Sequence, residues 1–221
     1  GLLAGCGGGS STSIDEPAPS PPAAPAPAPS GSPRAVTFST GLENPWSLAF
    51  LPDGSMLVTE RPGRMRRVSA DGKTLSSPLS GMPAVRAVGQ GGLLDVAVDP
   101  DFGTDPWVYW SYSEPDSSNS SNSGTAVARG RLVGNALQDV QVIFRQVPKL
   151  SGQGHYGARI AFAPDKTLYV TLGERATDDP ANPGTDNAQN LTKTLGKVVR
   201  ITRTGAAASG NPSFSTAGAL A

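Results

Sequence analysis

The sequence predicts an all-β fold of propeller type, and two observations carry that prediction. A Pro-Asp turn interrupts paired, alternating apolar runs three times, at Pro52-Asp53, Pro100-Asp101 and Pro164-Asp165, so the turns stand 48 and 64 residues apart. Repeats of about 40–50 residues, each of about four strands, have the size of propeller blades, and loop insertions account for the longer interval. No stretch carries a convincing 3.6-residue apolar stripe, so no helical layer is expected. Periodicity alone also leaves a β-sandwich open.

The first repeat is a meander. Candidate strands Trp46–Leu51 and Ser55–Glu60 flank Pro52-Asp53-Gly54, and Arg64–Ser69 lies between Pro62-Gly63 and the turn at Asp71-Gly72. In the second, Leu93–Val98 leads into Pro100-Asp101-Phe102-Gly103, and the aromatic, β-rich Trp107–Ser113 is expected to be largely buried. The polar run Asp116–Ser123 reads as a solvated hairpin loop before Thr125–Leu132, with Val140–Arg145 as a fourth strand. The third repeat contains the single histidine, His155, just ahead of a hairpin. There Ile160, Phe162, Leu168, Val170 and Leu172 recur at every second position, and Pro164-Asp165-Lys166 separates the strands Ala158–Ala163 and Thr167–Leu172. After a long polar loop, Lys197–Thr202 is the last strand. Three blades do not close a ring, and the chain starts without Met, so it is expected to be part of a longer protein truncated at both ends.

Ahead of the blades the composition changes. Gly1-Leu2-Leu3-Ala4-Gly5-Cys6 resembles the end of an export signal closing on the Leu-Ala-Gly-Cys box of bacterial lipoproteins. Residues 1–6 are therefore expected to be a signal remnant with Cys6 as the lipidated residue; a chance cysteine in a Gly-rich leader is the alternative. Residues 7–33, rich in Ser, Pro and Ala, are expected to be a disordered tether, because they offer too little apolar surface to offset their ordering entropy. Residues 34–221 then form the N-terminal part of the propeller domain. No apolar run approaches the roughly 18 residues needed to span a bilayer. The expected membrane partner is a lipid anchor, on the extracytoplasmic side of a bacterial membrane (periplasmic or cell-surface). Cys6 is the only cysteine, which excludes a disulfide framework. The chain has 18 acidic and 18 basic residues; Asp15 and Glu16 lie in the tether, which leaves the remainder at a net +2 and gives no case for a nucleic-acid partner.

Four constellations bear on chemistry. Gly152-Gln153-Gly154-His155-Tyr156-Gly157 fits G-x-G-x-x-G in form, but a strand follows it where dinucleotide binding requires a helix N-terminus. His155 can be a general base near neutral pH or a structural hydrogen-bonding residue; its flanking glycines favour close approach of a ligand. Gly89-Gln90-Gly91-Gly92 holds the equivalent place in the preceding repeat, so Gln90 and His155 either face one axial pocket or Gln90 lies in a turn without a ligand. The loop Arg175–Thr194, with Asp178, Asp179 and Asp186, offers oxygen ligands for a cation without EF-hand spacing; a merely solvated loop is the alternative. No Gly-x-Ser-x-Gly elbow, zinc-spaced histidine pair or Walker loop occurs.

Four stretches occur in a specific order: NPWSLAFLPDGSMLVTERPGRMRRV, VGQGGLLDVAVDPDF, GHYGARIAFAPDKTLYVTLGE and LGKVVRI. Together they resemble the N-terminal half of the soluble pyrroloquinoline-quinone-dependent glucose/sorbosone dehydrogenases, in particular the aldose sugar dehydrogenase branch, over about Thr37–Phe214. The resemblance implies a six-bladed propeller, of which this chain holds about the first three blades. It implies a central mouth binding pyrroloquinoline quinone and Ca2+, a sugar substrate and an external electron acceptor. By the same resemblance His155 is the base that takes the proton from the anomeric hydroxyl as hydride leaves C1 for the quinone, and Gln90 lines the pocket near sugar and cofactor. The residues that hold the quinone carboxylates and Ca2+ are expected beyond Ala221, so the fragment alone is expected to be inactive. Two positions depart from the pattern. Gly154 stands where a polar Asn or Asp often precedes the histidine, so an orienting partner for the imidazole is missing there, and Glu174 stands where Asp is common. Gly154 sustains the alternative of a non-catalytic propeller serving as a binding module. A metal-dependent lactonase is a third reading, one that makes no essential use of His155.

Overall fold

The structure, a computed structural model, describes residues 32–177 and 186–219. Cys6, most of the tether, and Asp178 and Asp179 lie outside the described residues. The chain divides into two units, Gly1–Val36 and Thr37–Ala221; of the first only residues 32–36 are described, without regular structure and exposed.

In the second unit all ten expected strands form, and no helix occurs among the described residues. They are β1 (Pro45–Phe50), β2 (Met56–Glu60), β3 (Arg64–Val68), β4 (Leu93–Val98), β5 (Trp107–Pro115), β6 (Ser123–Val133), β7 (Ala136–Arg145), β8 (Gly157–Phe162), β9 (Leu168–Leu172) and β10 (Val198–Ile201). They make three antiparallel sheets in chain order: β1-β2-β3, β4-β5-β6-β7, and β8-β9-β10. Single antiparallel bridges, Val68 to Leu75 and Ile201 to Ala207, begin a fourth strand on the first and third sheets. The first strands β1, β4 and β8 pack beside one another, so the sheets are blades arranged about their inner strands. Two differences from the expected bounds matter. Strand β7 starts four residues earlier than the β-rich run, and β6 takes in Ser123, which is buried and not part of a solvated loop.

Alternation along β5 makes the two inter-blade cores. Val108, Trp110 and Tyr112, with Leu93 of their own blade, face Leu57 and Met65 of the first, whereas Tyr109 faces Ile160, Leu168 and Val170 of the third. A strand with apolar neighbours on both faces reads as a nearly continuous aromatic and β-branched run, which is why Trp107–Ser113 has that composition. Tyr109 meets Phe162 edge to face, with ring centroids 5.1 Å apart.

The Pro-Asp turns close one end of the blades with a repeated element. Asp53 Oδ1 accepts the Ser55 N–H (3.0 Å) and Oγ–H (2.6 Å), and Arg67 pairs with Oδ2 while its Nε donates to Ser55 Oγ (2.9 Å). In the third blade Asp165, Thr167 and Arg200 repeat every one of these contacts. At the second turn, Asp101 instead receives Lys166 Nζ (2.8 Å) and Arg203 Nη1 (3.1 Å) from the third blade.

Asp95 joins all three blades near their inner strands. The residue is 1% exposed, and its Oδ2 accepts the Ile160 N–H (2.7 Å) while Oδ1 accepts the Ser47 hydroxyl (2.6 Å) and faces Arg159 Nη1 (3.5 Å). Register breaks at Leu93/Val96 in β4 and Gly157/Ile160 in β8 leave a strand amide free for this carboxylate. A side chain thus fills the gap that a continuous ladder would close.

Candidate active site

The end of the blades opposite the Pro-Asp turns gathers the β2–β3 turn, the loop entering β4, the loop entering β8 and the segment leaving β9. These loops meet one another directly. Gln90 donates its N–H to the Gln153 carbonyl (2.8 Å), and Gln90 Oε1 accepts the N–H of His155 (2.9 Å). The two sequence-selected residues, 65 positions apart, therefore sit side by side. Gln90 spends its carbonyl on the loop; its Nε2 carries no protein hydrogen bond among the described residues.

His155 has a left-handed backbone, φ 46°, uncommon outside glycine, although histidine tolerates it better than most. Close approach enforces it. A Cβ on Gly173 would lie 1.9 Å from the His155 carbonyl oxygen, so only glycine fits at the exit of β9. The imidazole is fixed by Glu174, whose Oε1 accepts from Nδ1. With Nδ1–H on the carboxylate, Nε2 is the acceptor nitrogen, and because the histidine side chain is 55% exposed that nitrogen is open to a ligand. Partial burial acts to raise the Glu174 carboxyl. The bond from His155, together with backbone N–H groups including that of Ala176, outweighs it and holds the carboxyl below the ordinary value. The orienting partner that Gly154 lacks is supplied by Glu174, two residues past the end of β9.

Sequence reasoning did not find the groups beneath the loop. Arg175 is fully buried: its Nε donates to the Gly154 carbonyl (3.1 Å), Nη2 to Gly152 O and Nη1 to Ser123 O, and it lies 3.7 Å over the Tyr156 ring. Tyr156 hydroxyl and Ser123 Oγ are 2.9 Å apart, and Thr125 Oγ1 donates to Tyr156 O (2.8 Å). In the neighbouring loop Arg61 Nη1 donates to Gly89 O (2.9 Å) and Gly91 O (3.2 Å). The one hint in the sequence was the twice-used Gly-Gln-Gly, at 89–91 and 152–154.

The acidic loop gathers no cation site among the described residues: no three His, Cys, Asp or Glu side chains converge there, and Asp186 Oδ1 caps the Ala188 N–H (2.9 Å). The grooves elsewhere lie away from His155. One of about 290 Å³ runs along Tyr169, Val198 and Phe214, and one of about 550 Å³ along Trp46, Leu48 and Phe38. Both are gaps beside the exposed faces of the third and first sheets, with none of the mouth's polar groups.

Residues 42–221 match the family described as Glucose / Sorbosone dehydrogenase. The chain belongs to that family. Among its relatives is the aldose sugar dehydrogenase YliI of Escherichia coli strain K12, 44% identical over 183 residues, which are 81% of this chain and 47% of that protein. The crystal structure of the soluble aldose sugar dehydrogenase of Escherichia coli in the apo-form superposes with TM-score 0.74 at 41% identity, over 83% of this chain and 51% of that one. The pyrroloquinoline-quinone-bound aldose sugar dehydrogenase of Streptomyces coelicolor gives TM-score 0.66 at 34% identity, again over 83% and 51%. The chain spans about half the length of these family members, and its three sheets are blades of their propeller.

Proposed function

We propose that the whole protein is a six-bladed, pyrroloquinoline-quinone-dependent aldose dehydrogenase with His155 as its general base. The observation that carries this is the imidazole locked by Glu174 through Nδ1, with Nε2 exposed beside Gln90. A family relative bound to pyrroloquinoline quinone supports the cofactor. The mouth also has donors suited to an anionic quinone. Arg61 uses only Nη1 for the Gly89 and Gly91 carbonyls, so Nε and Nη2 have no protein hydrogen bond among the described residues and can meet a carboxylate.

When bound, the quinone supplies the two-electron sink that receives the hydride from C1. His155 Nε2 takes the proton of the anomeric hydroxyl, so that the C1–O bond becomes the lactone carbonyl as the hydride departs. Glu174 holds the ring in the tautomer that can accept this proton and stabilises the imidazolium that results. Gln90 keeps its Nε2 as a donor for a sugar or quinone oxygen. Ca2+, the remaining cations for the quinone carboxylates and the external electron acceptor's docking site are assigned to sequence outside the described residues. Cys6 as a lipid attachment point would keep the enzyme at an extracytoplasmic membrane surface, and loss of labelled fatty acid from the Cys6→Ser variant tests that assignment.

The deciding experiment is reconstitution of the complete protein, without its anchor, with pyrroloquinoline quinone and Ca2+, followed by dye reduction with a panel of aldoses. Cofactor-dependent reduction that is abolished in His155→Gln, with quinone binding retained, is the expected result. A folded protein that neither binds the quinone nor reduces dye is a binding module of the same superfamily.

A further inference from the structure

The two Gly-Gln-Gly loops are held in the same way. In each, one arginine donates to the carbonyls on both sides of the glutamine: Arg61 to Gly89 and Gly91, Arg175 to Gly152 and Gly154. The two arginines come from different places in the chain, the β2–β3 turn of the preceding blade and the exit of β9 in the same blade. The Gly-Gln-Gly is repeated, but the arginine that meets its carbonyls comes from a different position each time.

Arg175 is the more demanding case. Its guanidinium is fully buried, and its hydrogen bonds among the described residues all go to neutral groups: the Gly152, Gly154 and Ser123 carbonyls and, at 3.5 Å, Ser123 Oγ. A buried cation is expensive unless donors and acceptors are matched throughout. Converging carbonyls at the turn before β8 are matched by a planar fork with donors along two edges, which an ammonium group does not provide. The Tyr156 ring, 3.7 Å below, fixes the plane of the fork. The backbone of Arg175 adds a further tie, because its N–H donates to the His155 carbonyl (3.2 Å). Side chain and main chain of one residue thus hold positions 152, 154 and 155 at once.

We propose that Arg175 is a positioning residue for His155, fixing the left-handed turn from which the imidazole reaches the mouth; this rests on the reading of His155 as the base. The guanidinium is fully buried behind the loop, out of reach of the open face, so it acts through His155. Arg61 braces the Gln90 loop from the open side through the Gly89 and Gly91 carbonyls, with its remaining N–H groups turned to the mouth.

The test is Arg175→Lys in the complete protein, with three readouts. The first is the thermal midpoint of the apoprotein. The second is the ¹⁵N-correlated imidazole spectrum of His155 in the apoprotein, assigned by its disappearance in His155→Gln. The third is kcat and KM for aldose oxidation after reconstitution. We expect displaced His155 imidazole signals and a kcat lowered roughly 100-fold, the scale of a 1 Å misplacement of a catalytic group, with quinone affinity retained. Wild-type imidazole signals and wild-type kcat in a folded variant would overturn the proposal and leave Arg175 as packing. If Arg175→Lys does not fold, Tyr156→Leu removes the platform under the guanidinium and is expected to displace the same signals; unmoved signals there would equally overturn it. Should the wild-type protein oxidise no sugar, the functional reading fails, while the apoprotein spectra still decide whether Arg175 places His155.

Discussion

Asp95 allows the clearest calculation. Asp95→Ala removes the acceptor of the Ile160 N–H and of the Ser47 hydroxyl. Ile160 is 4% exposed, so its amide has no access to water after the change, and a hydrogen bond to a charged acceptor contributes about 1.5–3 kcal/mol. Ser47 is half-buried and can turn its hydroxyl to water, and Arg159, 71% exposed and 3.5 Å away, loses little. The sum is a destabilisation of about 2–4 kcal/mol. Asp95→Asn keeps one carbonyl oxygen for the Ile160 amide and offers an N–H that Ser47 Oγ can accept, so its cost is about 1 kcal/mol. Urea denaturation of the two variants at neutral pH separates them through the shift in midpoint, provided the slope is unchanged. A Ser47→Ala substitution should then destabilise the wild type and have little further effect on Asp95→Ala. Equal destabilisation by Ala and Asn, or a loss below about 1 kcal/mol for Ala, would show that the carboxylate does not join the blades.

Three further outcomes follow from the site and its supports. Glu174→Ala should lower kcat by about 10²–10⁴-fold by freeing the imidazole, with Glu174→Gln intermediate, and a pH–rate profile unchanged from wild type would refute the orienting role. Gly173→Ala places a methyl 1.9 Å from the His155 carbonyl; it should destabilise by about 1–3 kcal/mol and move His155, as a crystal structure of the variant would reveal. Asp165 is held down to about 2 against an ordinary 3.8, first by the Thr167 hydroxyl and then by its backbone and by Arg200. Its folded-state value lies below its unfolded one, so its contribution is complete above pH 3.8 and disappears as pH falls through about 2. Asp165→Asn should therefore flatten the acid side of the thermal midpoint profile in that window, and an unchanged slope would refute the linkage.

The sequence by itself determined the strands, because each depends on short-range information: alternation at every second residue, Pro-Asp turns, and the two-faced aromatic run Trp107–Ser113. It also singled out His155 and Gln90, through glycines that only close approach justifies. Tertiary structure decided how these residues meet. The His155 N–H finds Gln90 Oε1 65 positions away, and Asp95 finds Ser47 and Ile160 across 48 and 65. Such contacts are set by how neighbouring blades stack and where a bulge frees an amide, and neither leaves a period in the sequence. Arg175 shows the limit most plainly. In the sequence it is a charged residue at the head of a polar loop, where solvation is the ordinary outcome. In the fold three carbonyls and an aromatic ring converge on it, and only their convergence makes a buried guanidinium tolerable beneath the histidine.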